Sequence, residues 1–109
     1  MPYDAELAER VRTALGRRLD CVEKKMFGGV GFLLGGNLCV AVWHDALVAR
    51  VGPEAYAASL EEPHVREFDV TGRPMKGWVL VDPEGVESAT GLKRWLDRAT
   101  KFAASLPEK

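Results

Sequence analysis

The sequence predicts an α+β fold in which helices pack on an antiparallel sheet of about five strands, in the order αβββαββα. Three observations lead to this prediction. Apolar residues near both ends of the chain recur every three or four positions, as they do on one side of a helix. Between these ends, apolar residues alternate with other residues at the period of two that strands show. The connections are too short for the crossovers that parallel strands need.

The first predicted element is a helix over residues 4–18. Leu7, Val11 and Leu15 recur every four residues and form one apolar stripe. Asp4 is suited to the N-cap, because its side chain can accept hydrogen bonds from backbone N–H groups that have no partner within the helix. This helix is therefore expected to lie with its stripe on the sheet.

A meander of antiparallel strands is predicted next. The turn Gly35-Gly36-Asn37 lies between two runs of alternating apolar residues, which is typical of a β-hairpin. A second turn is expected at His44-Asp45. The segments that can form strands here are 21–27, 30–34, 38–43 and 47–51.

The second half of the chain predicts a short helix, two strands and a long final helix. Pro53 suits the first turn of the short helix, and Ser88 suits the N-cap of the final one. The first of the two strands is short and charged, as is typical of an edge strand. The predicted bounds are 53–60 for the short helix, 66–70 and 78–81 for the strands, and about 88–104 for the final helix. We also expect a turn at Asp82-Pro83-Glu84-Gly85 and a frayed end at Pro107-Glu108-Lys109.

Length and composition indicate one domain over residues 1–109. Apolar residues make up 47% and charged residues 28% of the chain, which is ordinary for a globular protein. The 15 basic and 16 acidic residues give a net charge of -1, so the chain as a whole has no attraction for nucleic acid or acidic membranes. Its start lacks the apolar core of a signal peptide, and no apolar run approaches the roughly 20 residues of a membrane span. We expect a cytoplasmic protein with neither nucleic acid nor membrane as a direct partner.

The glycine-rich segment does not have the spacing of a nucleotide-binding loop. In Gly28-Gly29-Val30-Gly31, Leu34 stands where a dinucleotide motif needs its third glycine. Gly31 and Gly36 have phosphate-loop spacing, but Asn37 follows where that loop needs Lys. We therefore expect these glycines to shape strand connections, and we expect no cofactor.

The residues that most often bind metals or perform catalysis are scattered along the chain. They do not have the paired spacing of zinc ligands, and no nucleophile is clearly paired with a histidine. We therefore expect no metal site and no catalytic residue. His64 lies near Glu61, Glu62 and Glu67 in sequence and is a candidate for ligand binding or for a pH-sensitive charge. The residues considered are Cys21, Cys39, His44 and His64.

The segment 71–78, with the sequence TGRPMKGW, is the most distinctive part of the chain. Arg73 and Lys76 can bind an anion or acidic side chains, and Met75 and Trp78 can form an adaptable apolar contact. The alternative is structural: Met75 and Trp78 complete the core while the cations pair with carboxylates. Arg50 lies among apolar neighbours on a predicted strand and is a further candidate binding residue.

Four segments together carry a family resemblance. They are MFGGVGF at 26–32, LVARVGPEAY at 47–56, EPH at 62–64 leading to TGRPMKGW at 71–78, and the apolar spacing of residues 92–107. With these segments the chain resembles the TfoX/Sxy N-terminal domain family over nearly its whole length. The resemblance implies a two-layer domain with an antiparallel sheet, similar to secretion-chaperone-like folds.

The resemblance also implies a biological setting. Named members are bacterial regulators of competence for DNA uptake, and they are thought to act with other transcription regulators rather than as enzymes. They carry an additional C-terminal domain that resembles helix-hairpin-helix modules, whereas this chain is expected to be a stand-alone N-terminal domain. The resemblance supplies no catalytic residues.

We therefore expect a non-enzymatic interaction or regulatory domain that acts through a protein partner. Its candidate binding residues are Arg50, Arg73, Met75, Lys76 and Trp78. An alternative is a sensor or enzyme for a small anion or metabolite, with Arg50, His64, Arg73 and Lys76 around one pocket. A homodimer is also left open, since the apolar strands 30–34 and 38–43 can meet helices on one face and a second subunit on the other.

Overall fold

The computed structural model of the protein describes residues 3–16, 21–26, 28–69, 72 and 75–107. Its strands are β1 (Cys21–Met26), β2 (Gly29–Leu34), β3 (Asn37–Trp43), β4 (Ala46–Arg50), β5 (Val65–Glu67) and β6 (Trp78–Val81). Its helices are α1 (Ala5–Leu15), α2 (Pro53–Leu60), α3 (Pro83–Val86) and α4 (Ala89–Ala104). The strands form one sheet in the order β1-β2-β3-β4-β6-β5, and every neighbouring pair is antiparallel. The predicted α+β class with an antiparallel sheet is confirmed.

The number of strands and the order of the elements differ from the prediction. Among the described residues there are six strands rather than about five, and four of them precede α2 instead of the three in the order αβββαββα. The order αβββαββα counts one strand too few before α2, whereas the strand expected at 21–27 is present as β1 (Cys21–Met26), whose central residues are charged. An edge strand pairs on one side only and tolerates such charges, so its sequence lacks the apolar alternation of an inner strand. The expected turn at 82–85 also contains the one-turn helix α3.

Other boundaries also differ from their predictions, and α1 ends at Leu15 with Gly16 as its C-cap rather than continuing to residue 18. The predicted strand 66–70 is shorter and begins earlier, because Phe68 and Asp69 have left the ladder and residue 70 lies outside the described residues. The predicted frayed end is wrong for Pro107, whose carbonyl accepts a 2.9 Å hydrogen bond from Nδ2 of the buried Asn37. Residues 108 and 109 lie outside the described part of the chain.

The predicted helix caps are confirmed. Oδ1 of Asp4 accepts hydrogen bonds from the N–H groups of Glu6 at 2.9 Å and Leu7 at 3.1 Å. Oγ of Ser88 accepts one from the N–H of Gly91 at 2.9 Å. Both caps satisfy donors in the first turn that have no partner within the helix, so they fix where α1 and α4 begin.

The glycines between β1 and β3 are structural, as the sequence predicts. Gly35 and Gly36 have φ of +59° and +83°, as a two-residue type I′ hairpin turn requires. A Cβ at Gly29 would collide with the backbone carbonyl of Val42, because β2 and β3 approach closely there. The glycines thus permit tight strand pairing.

The main core lies between the helices and the sheet. Trp95 of α4 is 1% exposed within it, and the apolar stripe of α1 contributes Leu7, Val11 and Leu15. Arg12 joins α1 to the edge of the sheet through a two-pronged ion pair with Glu23, with N···O distances of 2.6 and 2.8 Å. The hydrogen bonds from Arg12 hold the pKa of Glu23 below its ordinary value.

A second, smaller apolar cluster lies on the opposite side of the sheet, which we call the open face. Its buried members come from inner strands and from the chain just after β5: Ala41, Ala46, Val48, Phe68 and Leu80. Trp43, Met75 and Trp78 pack against this cluster and remain partly exposed. The segment that leads into β6 therefore covers part of the open face, while the face near β1 carries Val22 at 60% exposure.

Candidate functional site

The most distinctive site in the described structure is where the end of β4 lies beside the start of β6. Arg50 and Trp78 are direct cross-strand partners. The guanidinium carbon of Arg50 lies 5.1 Å from the ring centre of Trp78 and 5.4 Å from that of Phe102 on α4. Both distances are within the range of a cation–π contact. We call this site, formed by Arg50, Gly52, Lys76, Trp78 and Phe102, the Arg50 corner.

The backbone at the Arg50 corner is fixed by two glycines. The carbonyl of Gly77 accepts hydrogen bonds from the N–H groups of Val51 at 2.8 Å and Gly52 at 3.1 Å. Gly52 has φ of +87°, and a Cβ added there would lie 2.5 Å from the Phe102 ring. Glycine at position 52 therefore allows both the turn out of β4 and the close packing of Phe102.

The loop before β6 ends in a tight turn that presents Lys76. The N–H of Trp78 donates to the carbonyl of Met75 at 3.0 Å, and the intervening Gly77 has φ of +94°, as at the third position of a type II turn. Lys76 at the tip is exposed, whereas Met75 and Trp78 are half-buried. Met75 and Trp78 therefore pack on the open face of the sheet while part of each side chain remains accessible.

The charge of Arg50 has no carboxylate partner among the described residues. Its side chain makes the two aromatic contacts and no hydrogen bond or ion pair there. Aromatic rings contact the faces of a guanidinium, whereas its N–H donors point outward in its plane. Arg50 thus offers an oriented set of donors that matches the geometry of a carboxylate or another planar anion.

A cavity of about 530 Å³ lies beside Phe102. Gly52 and the first turn of α2 form one wall, and Arg98 and Lys101 of α4 contribute basic groups to the other. Glu54 supplies a carboxylate to the same lining. This cavity gives the Arg50 corner an adjoining recess of mixed charge.

The structure brings some of the candidate residues together and leaves others apart. Arg50, Met75, Lys76 and Trp78 all belong to the Arg50 corner or to the turn beside it. Arg73, the remaining candidate binding residue, lies outside the described residues.

His64 lies at the opposite end of the sheet from the Arg50 corner. It precedes β5 with φ of +66°, and its carbonyl accepts a 2.7 Å hydrogen bond from Asp82, beyond the far end of β6. The length of β6 therefore separates His64 from Trp78 by about 10 Å or more. The arrangement proposed for a small-anion sensor or enzyme is not formed, because His64 does not share a pocket with Arg50 and Lys76.

The basic side of α4 is largely neutralised by ion pairs. Glu62 accepts hydrogen bonds from Arg98 at 2.6 Å and Arg94 at 2.8 Å, and Arg98 also lies 4.3 Å from the ring centre of Trp95. Burial by itself raises the pKa of Glu62, but the hydrogen bonds and charges of the two arginines outweigh it and hold that pKa below its ordinary value. This network fastens the end of α2 to α4.

Sequence reasoning did not identify Phe102 and Trp43 as parts of this region. Phe102 has the spacing of an ordinary core residue of α4, and only the tertiary fold places it beside Arg50. The ring centre of Phe68 lies 6.5 Å from that of Trp43 and 6.4 Å from that of Trp78. The aromatic surface therefore continues across the open face. The strand register, once known, would have revealed this surface.

Neither cysteine forms a disulfide. Within the described ranges, no group of three or more His, Cys, Asp or Glu side chains is arranged to hold a metal ion. In the same part of the chain, no helix has both the length and the apolar character needed to cross a membrane.

Comparison with known proteins identifies one family. Residues 13–103 match the TfoX N-terminal domain. No match was found among the curated proteins or among the solved structures.

Proposed function

Because the chain belongs to the TfoX N-terminal domain family, we propose that it is a non-enzymatic regulatory domain that acts by binding a protein partner. The observation that carries this proposal is the Arg50 corner. It places an arginine that has no carboxylate partner among the described residues beside two aromatic rings, next to an exposed lysine. Arg and Trp are the residue types that most often dominate the energy of protein interfaces.

The rigidity of the Arg50 corner supports a recognition role. Two glycine-dependent turns fix the backbone around Arg50, and the aromatic contacts orient its guanidinium before any partner binds. A preorganised group loses less conformational entropy on binding than a mobile one. The arrangement therefore favours a partner group that accepts hydrogen bonds in the plane of the guanidinium.

The family resemblance supports a proposal for the kind of partner. Since named family members regulate competence and are thought to act with transcription regulators, we propose that this domain binds a protein that controls transcription. The domain would change the activity of that protein by association and would not contact DNA directly.

Capture from a native lysate of the source organism tests this function. The immobilised wild-type domain is compared with Arg50→Gln, which keeps much of the side-chain stem but removes the charge, and with Lys76→Ala. Lys93→Ala is the matched control, because Lys93 is an exposed lysine of α4 paired with Asp97 at 2.8 Å. We expect a protein that wild type and Lys93→Ala retain and that both corner variants release.

The result that would overturn the proposal is equally clear. If the folded Arg50→Gln and Lys76→Ala variants retain the same proteins as wild type, the Arg50 corner is not the binding surface. If no protein is retained specifically, the domain does not act through a stable protein partner. Melting temperatures of the four proteins establish that each variant is folded.

A further inference from the structure

The open face carries an exposed apolar row that leads to the Arg50 corner. Val22 of β1 lies directly opposite Leu33 of β2, and Leu33 lies directly opposite Leu38 of β3. Beyond the β-bulge that follows Leu38, the row continues with Arg50 of β4 and with Trp78 of β6, which are direct cross-strand partners. Val22 is 60% exposed, and the other four side chains are partly exposed.

The charges that border this row on the open face are positive. In the adjacent row, Lys24 is opposite Gly31 at one edge of the sheet, and Arg66 is opposite Leu80 at the other. No strand residue that faces the open side in these pairings is acidic. On the helix side, the corresponding row ends instead in Glu23 and Glu67.

The described carboxylates of the connecting segments lie mainly away from this row. Asp45 and Asp82 are at the opposite end of the sheet, and Asp82 is already paired with Arg66 at 2.9 Å. Asp69, just after the buried Phe68, is a carboxylate of a connecting segment at the end of the sheet where Arg50 lies. The three cations around the row, Lys24, Arg50 and Lys76, outnumber the carboxylate of Asp69.

We propose that this row docks an acidic amphipathic segment of a protein partner, with its apolar side on Val22, Leu33 and Leu38 and its carboxylates on Lys24 and Arg50. The inference rests on the proposed function and names the chemistry of the partner. Complementary charges around an apolar contact favour the correct partner and speed its association. A second copy of the chain would instead bring Lys24 and Arg50 of both faces together, which like-charge repulsion disfavours.

The length of the row indicates the size of the segment. Crossing from β1 to β6 spans four intervals between neighbouring strands, or about 19 Å. A helix of about 13 residues has the same length. A segment of one amphipathic helix is therefore sufficient to cover the row.

Selection from a random 12-residue peptide display library on the immobilised domain tests this inference. We expect the selected peptides to combine Asp or Glu with large apolar residues and to bind more weakly as salt is added. The variant Lys24→Glu reverses a charge on the open face. Lys25→Glu is its matched control, since Lys25 is exposed on the same strand but faces the helix side.

We expect Lys24→Glu to weaken the selected peptides about tenfold and Lys25→Glu to leave them nearly unchanged. Equal effects of the two variants, a selection without acidic residues, or no selected peptide would each overturn the inference. The lysate capture tells a failure of this inference apart from a failure of the proposed function. If a lysate protein is retained in an Arg50-dependent manner and the two lysine variants retain it equally, the function stands and only the acidic docking chemistry is wrong.

Discussion

The guanidinium of Arg50 lies between two layers of the protein, 5.1 Å from the ring centre of Trp78 on the sheet and 5.4 Å from that of Phe102 on α4. It therefore joins the end of the sheet to the final helix while its hydrogen-bond donors remain without a carboxylate among the described residues. This combination separates the effects of charge from the effects of shape, because a lysine keeps the charge but lacks the planar donor geometry.

We predict that Arg50→Lys lowers partner retention in the lysate capture by about tenfold or more while costing only about 1 kcal/mol of stability. The stability change reflects weaker stacking on the two rings, and the loss of binding reflects the missing planar donors. Chemical denaturation and quantitative capture measure the two effects on the same protein. Full retention by Arg50→Lys would show that a positive charge alone suffices at this position.

The contact between Gly52 and Phe102 gives a prediction about stability. Gly52→Ala adds a methyl group that would lie 2.5 Å from the Phe102 ring, at a residue whose φ is +87°. Gly28→Ala is the matched control, because Gly28 has φ of +78° but open space around the same position. We expect Gly28→Ala to cost about 1 kcal/mol from backbone strain and Gly52→Ala to cost roughly 2 kcal/mol more. Equal urea denaturation midpoints for Gly52→Ala and Gly28→Ala would contradict this account of the Arg50 corner.

The ion pairs of Glu62 predict a pH dependence of stability. The pKa of Glu62 is lowered in the folded protein, since Arg98 and Arg94 stabilise its charged form more than burial opposes it. The folded state therefore binds this proton less readily than the unfolded state. The stabilisation is fully present above the unfolded pKa of about 4.3 and is lost as the pH falls through the folded pKa.

Glu62→Gln tests this dependence directly. We expect the variant to be about 1 kcal/mol less stable than wild type at pH 7, and the difference to shrink as the pH falls below about 4. Glu61→Gln is the neighbouring control, since Glu61 is exposed and makes no ion pair in the described structure. A difference between wild type and Glu62→Gln that stays constant from pH 7 to pH 3 would show that the charge of Glu62 is not responsible.

The sequence predicts most of the fold because its signals are local. Asp4 and Ser88 mark the helix starts, and Gly35-Gly36 marks the hairpin, through backbone chemistry that operates within a few residues. The short β5 is the strand predicted least well, since it covers Val65–Glu67 rather than residues 66–70. Edge strands owe their structure to a neighbour on one side, so their own residues need not show the pattern of a buried strand.

The candidate site could be predicted only in part. The segment 71–78 is distinctive by composition and Arg50 by its place among apolar neighbours on a predicted strand, but only the strand register shows that Arg50 and Trp78 are cross-strand partners. The contribution of Phe102 depends on how α4 packs, which no spacing in the sequence reveals. The placement of Lys24 and Lys25 on opposite faces likewise requires the register of β1, because a shift of one residue would exchange them.

Site-specific photo-crosslinking in cells tests the central claim most directly. A photoreactive amino acid replaces Glu54, which is exposed on the first turn of α2 next to Gly52 of the Arg50 corner, in one protein and Lys93, on the outer side of α4, in another. We predict that illumination joins the protein substituted at Glu54 to a specific partner and that Arg50→Gln in the same chain abolishes this product. A product formed equally from both positions, or only from Lys93, would contradict partner binding at the Arg50 corner.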